Sequence, residues 1–380
     1  MPLKSFLAII YTTLLTISAL HMPQPLLPLL GNYFNVEMDT ISLIMSATFV
    51  PLTIMPIVSG FILNFLSPKK MIFFSAIIHA FVVFAISITS TVQITILLRF
   101  IEGFMIAMIL TSNTTYIALK TKREKIQFYM SYYIAFTTIG GLLGRIIGSI
   151  IATYLDWQTC FQIISVSLLI VPPVVHFFLE DIKVEKSEKS YFPFKNFSQI
   201  LFDKINRKIY ITIFCVFFAF TGITNFIPFR IKSLFASSSE LTIGLVYSGY
   251  ITGVAISFIA TKIIKFLGSE RKTLLYGLFV YGIFLLMFNT LSLILIFIIM
   301  FGFCSCMFLV HAVASGYLNK MATSQKSLVN GTYIAMYYTG GVLGSYVPGV
   351  IYKNFGWEIC IGSLLFLVLI AIFSILRLSK

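Results

Sequence analysis

Long apolar runs follow one another along almost the whole chain, separated by short stretches of charged and turn-forming residues. A helix needs about 20 mostly apolar residues to cross a bilayer. Runs of this kind lie near residues 5–30, 40–66, 71–90, 94–119, 127–155, 159–179, 209–231, 241–264, 273–290, 293–318, 328–352 and 358–376. The pattern therefore predicts an all-α membrane protein with twelve transmembrane helices, here called spans one to twelve.

The polar segments between the spans differ in charge from one side to the other. Segments on the side of both termini are basic, as at Lys69, Lys70 and the interval Glu180–Lys208. Opposite segments are mainly acidic, as at Asp156 and Glu358. Basic loops remain in the cytoplasm, so we expect both termini to be cytoplasmic.

The second half of the chain repeats the first at an offset of 200 residues. Residues 139–144 read Ile-Gly-Gly-Leu-Leu-Gly and residues 339–344 read Thr-Gly-Gly-Val-Leu-Gly, while 156–160 and 356–360 share a Trp and a Cys. A parallel repeat of six spans predicts two six-helix bundles with a substrate site between them. The predicted divisions are a first bundle at 1–180, a cytoplasmic linker at 181–208 and a second bundle at 209–380.

Composition narrows the class of protein further. Of the 380 residues, 58% are hydrophobic and 11% are charged, whereas soluble domains carry about a quarter charged residues. The net charge of +14 is dispersed around the spans, so we expect membrane lipid and a small-molecule substrate as partners, and no nucleic acid. The five cysteines show no zinc or redox spacing, and we expect no metal and no cofactor. The first apolar run lacks a clear cleavage site and is kept as span one.

Four short motifs carry a resemblance that covers essentially the whole chain. They are Gln24-Pro-Leu-Leu-Pro28 in span one, Arg99-Phe-Ile-Glu-Gly103 in span four, Gly140-Gly-Leu-Leu-Gly-Arg145 in span five and His311-Ala-Val-Ala-Ser315 in span ten. With these motifs the chain resembles the major facilitator superfamily, within its bacterial efflux branch the YnfM-type permeases. The resemblance implies a major facilitator fold, associates Arg99 with proton coupling, and makes the span-five glycines typical of exporters.

One signature of that family is degraded. The loop after span two usually carries an Asp-Arg pair, but this chain has Gly60, Asn64, Ser67, Lys69 and Lys70 instead. The resemblance implies that the Asp-Arg pair takes part in a charge network that stabilises the outward-facing conformation, and this chain lacks that pair. The basic pair that remains could act only in setting topology.

Charged residues inside spans are expensive, at about 2.5–3.5 kcal/mol each on insertion scales, and mark functional sites. Arg99 and Glu102 lie on one face of span four, and a rise of about 1.5 Å per residue places Glu102, Arg145 and His21 in one layer. We therefore predict that Arg99, Glu102, Arg145 and His21 form a proton-coupling site. A fixed salt bridge and a merely packed histidine are the alternatives.

Two further sets of residues are predicted from their placement in the spans. A polar substrate cavity is expected from Gln24, Asn113, Thr114, Asn225 and His311. Close helix packing is expected at Gly140, Gly141, Gly144, Gly148, Gly340, Gly341 and Gly344. Alanine at position 144 is expected to be far milder than leucine. His79 and His176 are assigned structural roles because the family places their spans on the periphery.

These observations predict a monomeric secondary transporter of the bacterial cytoplasmic membrane. We expect proton-coupled efflux by alternating access, with the proton gradient as energy source; the alternative is a symporter that imports a sugar, nucleoside or amino acid. A membrane enzyme would need paired carboxylates or a metal-ligand set within the spans, and one buried carboxylate does not provide it. A channel would need a ring of charges or a carbonyl filter, which the sequence lacks.

Overall fold

The computed structural model describes residues 1–63, 65–182, 199–321 and 326–378. Within these ranges each predicted span coincides with one helix or with a helix broken in two. The helices run Leu3–His21 and Leu27–Phe34 (span one), Met38–Ile62 (two), Pro68–Ser87 (three), Val92–Lys120 (four), Arg123–Tyr154 (five), Trp157–Leu169 and Val171–Phe178 (six), Lys204–Leu234 (seven), Glu240–Val246 and Tyr250–Leu267 (eight), Glu270–Met287 (nine), Leu293–Met321 (ten), Lys326–Phe355 (eleven) and Trp357–Leu376 (twelve).

The described helices have the length and composition of membrane spans. Ten of them are long and apolar enough to cross a bilayer within the described ranges. The two others are spans nine and eleven, and span nine opens with the charged residues Glu270, Arg271 and Lys272. The fold is therefore that of a multi-pass all-α membrane protein, as the sequence predicts.

Helix boundaries follow local chemistry at several places. Asp156 accepts a hydrogen bond from the N–H of Thr159 at 2.6 Å and so caps the start of span six. Gly268 ends span eight with a φ of +87°, a left-handed conformation that favours glycine. Span seven begins at Lys204 rather than at 209, so the last residues of the predicted linker are helical. The linker residues 183–198 lie outside the described ranges.

The internal repeat is present in the packing as well as in the sequence. A Cβ added to Gly140 would lie 3.1 Å from the Cα of Leu14, and one added to Gly340 would lie 3.2 Å from the Cα of Phe214. Both members of the first contact are shifted by 200 residues in the second. Spans one and five therefore pack as spans seven and eleven do.

A second pair of contacts obeys the same offset. The Cys160 thiol donates to the carbonyl of Gly148 at 3.2 Å, and the Cys360 thiol donates to the carbonyl of Pro348 at 3.5 Å. Both cysteines are buried. They pack spans six and twelve against the preceding span, which agrees with a role in helix packing.

The described chain forms two compact units. The first comprises Met1–Val36, Ala47–Ser190 and Ser239–Gly244, and the second comprises Glu37–Ser46, Tyr191–Ser238 and Leu245–Lys380. In the second unit Lys353 pairs with Asp39 at 3.3 Å. The start of span two therefore packs within the unit that also holds span eleven.

The two lysines that follow the loop after span two make contacts with the end of span six and the segment beyond it. Lys70 pairs with Asp181 at 3.5 Å, and Lys69 donates to the carbonyl of His176 at 2.8 Å. A hydrogen bond from the Ser67 hydroxyl lowers the pKa of Asp181, and the positive charge of Lys70 lowers it further. Asn64 lies outside the described residues. Lys69 thus contacts the end of span six, and Lys70 contacts the segment that follows it.

Candidate functional site

Span one is interrupted where three prolines follow His21. Because proline has no N–H, Pro23 cannot bond to the carbonyl of Ala19 four residues earlier. The helix ends at His21, passes through a 3-10 turn at Gln24–Leu26 and resumes at Leu27. The carbonyl groups of its last turn are left to accept hydrogen bonds from elsewhere in the fold.

Arg99 of span four supplies those hydrogen bonds. Its Nη2 donates to the carbonyl of Leu20 at 2.8 Å and its Nη1 to the carbonyl of Ala19 at 3.3 Å. The same Nη1 lies 2.6 Å from Oε2 of Glu102. Both side chains are completely buried. One guanidinium therefore joins the carboxylate of span four to two backbone carbonyls of span one.

Glu102 has a second partner, which sequence reasoning missed. His79 of span three places Nε2 3.2 Å from Oε1 of Glu102, and its side chain is completely buried. The sequence offered one usable signal, a histidine within a span, but the expected peripheral position of span three argued against it. The structure instead joins Arg99, Glu102 and His79 into one buried trio.

Arg145 of span five contacts span one at the break itself. It donates from Nε to the side-chain oxygen of Gln24 at 2.6 Å and from Nη1 to the carbonyl of Gly141 at 2.8 Å. Its Nη2 is 3.0 Å from Nδ1 of His21. Because a guanidinium can only donate, His21 Nδ1 accepts, and the ring proton of His21 lies on Nε2. Gln24, predicted as a cavity residue, thus belongs to this arginine cluster.

The two arginine clusters have no charged counterpart at the repeat positions. An offset of 200 residues turns His21, Gln24 and Arg145 into Thr221, Thr224 and Ser345. The same offset turns Arg99 and Glu102 into Ile299 and Gly302. The glycine contacts are kept at that offset, whereas the charges are replaced. Helix packing of this kind therefore does not depend on these charges. Their presence in the first half requires an explanation other than helix packing.

The other predicted cavity residues of the first unit lie nearer the end of span four. Asn113 is buried and donates to the hydroxyl of Thr13 in span one at 3.1 Å. Thr114 is half-buried and donates to the carbonyl of Thr111 at 2.9 Å. Asn113 therefore links spans four and one, and Thr114 keeps its hydrogen bond within its own helix.

In the second unit the predicted cavity residues lie beside aromatic rings. Asn225 is buried in span seven. The Tyr333 hydroxyl lies 3.1 Å from Nδ1 of His311, and the His311 ring is 5.0 Å from that of Tyr337. Stacked rings lead from Tyr337 into the unit through Phe217 (3.6 Å), Phe220 (6.1 Å), Phe303 (5.6 Å) and Tyr281 (4.5 Å).

The remaining glycines face side chains or backbone at short range. A Cβ on Gly148 would lie 2.5 Å from Met22, and one on Gly341 would lie 2.6 Å from the ring of Phe217. A Cβ on Gly141 would lie 3.1 Å from both Arg145 and His21. Gly141 thus leaves the space in which the arginine reaches the histidine.

A metal centre is a further kind of site that membrane histidines and acids can build. Among the described residues no group of three or more His, Cys, Asp or Glu side chains is arranged to hold a metal ion.

Comparison with solved structures places this architecture among known transporters. The fold matches a crystal structure of the nucleoside transporter NupG with a TM-score of 0.86, at 14% identity, over 99% of this chain and 100% of that one. It also matches a bacterial homologue of the human lysosomal transporter Spinster with a TM-score of 0.74, at 13% identity, over 98% of this chain and 94% of that one. At these identities the likeness concerns the fold.

Sequence comparison agrees with the structural matches. An uncharacterized transporter of Buchnera aphidicola subsp. Schizaphis graminum is 26% identical over 370 residues, which cover 94% of this chain and 86% of the relative. The inner membrane transport protein YnfM of Escherichia coli (strain K12) is 23% identical over 360 residues, which cover 93% of this chain and 85% of YnfM. A model of the Major Facilitator Superfamily matches residues 9–268 and 209–380. The chain therefore belongs to the Major Facilitator Superfamily of transporters.

Proposed function

We propose that this transporter exports a small molecule across the bacterial cytoplasmic membrane and that proton movement drives the export. The observation that carries the proposal is the buried pair of Arg99 and Glu102, 2.6 Å apart at the break in span one. A carboxylate in a span is a candidate proton carrier by default. Among the described residues, Glu102 is the one acid more than a turn from either end of a span helix.

The energetics favour a functional reason for the pair. Breaking a buried ion pair by removal of one partner destabilises a protein by about 3–5 kcal/mol, whereas replacing the whole pair by apolar residues is often neutral. The second half of the chain folds with the same helix contacts and without such charges. Retention of the charges in the first half is therefore better explained by transport than by stability.

Efflux is supported by the motifs that the chain shares with YnfM-type permeases, above all the glycine series that precedes Arg145 in span five. These glycines let span five approach span one closely, with little side-chain bulk between the helices. Such a close contact is compatible with the helix movements of alternating access. We infer that both termini lie in the cytoplasm, since the basic loops lie on the side of the termini. We further propose that the transporter acts as a monomer. No cofactor is required by this mechanism.

Uptake by proton symport is the second candidate. The stacked rings that end at Tyr337 offer a face on which a planar ring could stack. The structurally similar NupG is a nucleoside transporter, which makes uridine the natural probe for this alternative. An amphipathic aromatic cation such as ethidium would use the same face in efflux.

Vesicle transport distinguishes the two directions. Everted vesicles with an acidic lumen are given ethidium, and right-side-out vesicles with an alkaline lumen are given labelled uridine. Efflux predicts uncoupler-sensitive accumulation of ethidium in the everted vesicles. Uncoupler-sensitive accumulation of uridine in right-side-out vesicles, without ethidium accumulation in everted ones, would overturn the efflux proposal. Vesicles that lack the protein serve as the control.

A further inference from the structure

The carboxylate of Glu102 divides its two oxygens between two partners. Oε2 lies 2.6 Å from Arg99 and Oε1 lies 3.2 Å from Nε2 of His79. All three side chains are completely buried. The His79 imidazole thus contacts a carboxylate whose other oxygen is paired with the Arg99 guanidinium.

The contact determines which nitrogen of His79 carries the ring proton. A carboxylate paired with arginine is ionised and can only accept hydrogen bonds. Nε2 must therefore be the donor, and in neutral His79 the nitrogen Nδ1 holds a lone pair. Within the described part of the chain, that buried nitrogen has no hydrogen-bond partner. Buried polar atoms are nearly always paired, so this nitrogen requires an explanation.

We propose that His79 is the group that takes up the coupled proton, with Glu102 as its counter-ion. The proposal rests on the proposed function, of which it names the proton-binding residue. In the binding step a hydronium O–H bond breaks, its proton forms a bond with the Nδ1 lone pair, and water leaves. Nε2–H stays in place. On release the Nδ1–H bond breaks, its electron pair becomes the Nδ1 lone pair again, and the proton forms an O–H bond with a water molecule to give hydronium.

The charges of the trio favour His79 over Glu102 as the proton site. Before binding, Arg99 and Glu102 compensate each other and His79 is neutral. A proton on Glu102 would leave the Arg99 guanidinium beside a neutral acid. A proton on His79 adds a cation next to a carboxylate and keeps both contacts of that carboxylate. The trio therefore accepts one proton with its hydrogen bonds unchanged.

Other titratable groups on the helices packed against span three are engaged or distant. Span six carries the Cys160 thiol, which donates to Gly148, and the exposed His176 near its end. Lys70 at the start of span three pairs with Asp181, which follows span six. On span four, Arg99 and Glu102 are the charged residues away from the helix ends. The charge that stabilises protonated His79 is therefore that of Glu102.

Nitrogen-15 NMR of histidine-labelled protein tests the proposal directly. The chain has four histidines, and the signals lost in His79→Gln identify His79. We expect His79 to carry its proton on Nε2 at alkaline pH and to gain a second ring proton, on Nδ1, as the pH is lowered across the range in which the protein stays folded. In Glu102→Gln the doubly protonated signal of His79 should be lost, while the signals of His176 should be unchanged.

A His79 ring that stays neutral throughout that range would overturn the proposal. So would equal protonation in wild type and Glu102→Gln, since Glu102 would then not be the counter-ion. The titration of unsubstituted His79 decides the point even if the substituted protein folds poorly.

Transport separates this proposal from the proposed function. In everted vesicles, His79→Gln should lose ethidium accumulation driven by a pH gradient and keep ethidium counterflow without a gradient, whereas His176→Gln should behave as wild type. Gradient-driven accumulation that survives in His79→Gln would overturn the role of His79. Failure of wild-type vesicles to accumulate ethidium would count against the proposed function. It would leave the NMR test of His79 unaffected.

Discussion

A Cβ placed on Gly144 of span five would lie 2.6 Å from the Cα of Ser18 in span one. The neighbouring atoms belong to backbone, which cannot rotate away as a side chain can. Gly144→Ala should therefore disturb the packing of two helices, at about 1–3 kcal/mol for overpacking of this kind. The expected result is a lower melting temperature and reduced transport per inserted molecule.

The repeat supplies a replicate and a control for that substitution. Gly344→Ala should have a similar effect, because its Cβ would lie 2.7 Å from the Cα of Phe218. Gly362→Ala in span twelve should be neutral or stabilising, since no atom lies within 4 Å of an added Cβ there. A Gly144→Ala protein as stable and active as Gly362→Ala would refute close packing at this position.

Arg99→Lys keeps the charge but not the hydrogen-bond geometry. Arginine reaches Glu102, Ala19 and Leu20 with two nitrogens of one planar group, which a single ammonium cannot reproduce. We expect an inserted protein with a lower melting temperature and impaired transport. Arg377→Lys, at an exposed helix end, should change neither quantity. Wild-type melting and transport in Arg99→Lys would show that the contacts to span one are dispensable.

Glu102→Gln preserves size and removes the charge. Proton-linked transport should weaken more than substrate binding, because the amide can still contact Arg99 but cannot serve as a counter-ion. The measurements are ethidium binding by fluorescence and gradient-driven ethidium accumulation over a range of pH. An unchanged rate with an unchanged pH profile would leave the ion pair with a purely structural role.

Cysteine labelling tests the orientation. The five native cysteines are buried, so background reaction should be slow. An impermeant maleimide applied to intact cells should label Ser237→Cys, which lies in the exposed segment between spans seven and eight, and should spare Lys122→Cys before span five. The reverse labelling pattern would invert the proposed topology.

The cap of span six predicts a pH effect on stability. The hydrogen bond from the backbone N–H of Thr159 lowers the pKa of Asp156 below its ordinary value. The ionised cap therefore stabilises the fold above the ordinary carboxyl range, and its contribution disappears as the pH falls through the lowered pKa. Asp156→Ala should destabilise the protein by about 1 kcal/mol at neutral pH, measured by thermal melting.

That difference in melting temperature between wild type and Asp156→Ala should shrink at acidic pH. Asp156→Asn is the matched control, because asparagine caps helices about as well and does not titrate. A difference between wild type and Asp156→Ala that is constant down to strongly acidic pH would argue against an ionised cap.

Much of the fold could be predicted because a bilayer imposes a length on every apolar run. The same rule could not locate breaks within spans. Prolines signalled the break in span one, and Pro172 and Pro173 gave a similar signal in span six that the span prediction did not use. Span eight breaks at Tyr247–Gly249 without a proline, where the Tyr247 hydroxyl donates to the carbonyl of Thr224 at 2.6 Å.

The site could be predicted where its geometry is local. The spacing of Arg99 and Glu102 on one helix suffices to bring them together. The partnership of Glu102 with His79 depends on how spans three and four pack, which helical periodicity does not specify. Alanine at position 144 is expected to have a substantial effect of its own, because an added Cβ would meet the backbone of Ser18. Sequence spacing alone does not reveal how closely two backbones approach.

Arg99 takes the place of the peptide donor that Pro23 denies to the carbonyl of Ala19, and it also donates to the neighbouring carbonyl of Leu20. A change of charge at Glu102 or His79 thus acts on the same guanidinium that holds two backbone carbonyls in position. The bend of span one at Ala19 and Leu20 is therefore fixed by the same side chain that neutralises Glu102. Under the proposal above, a proton bound in this trio changes the charge beside the guanidinium whose hydrogen bonds set the angle between the two halves of span one.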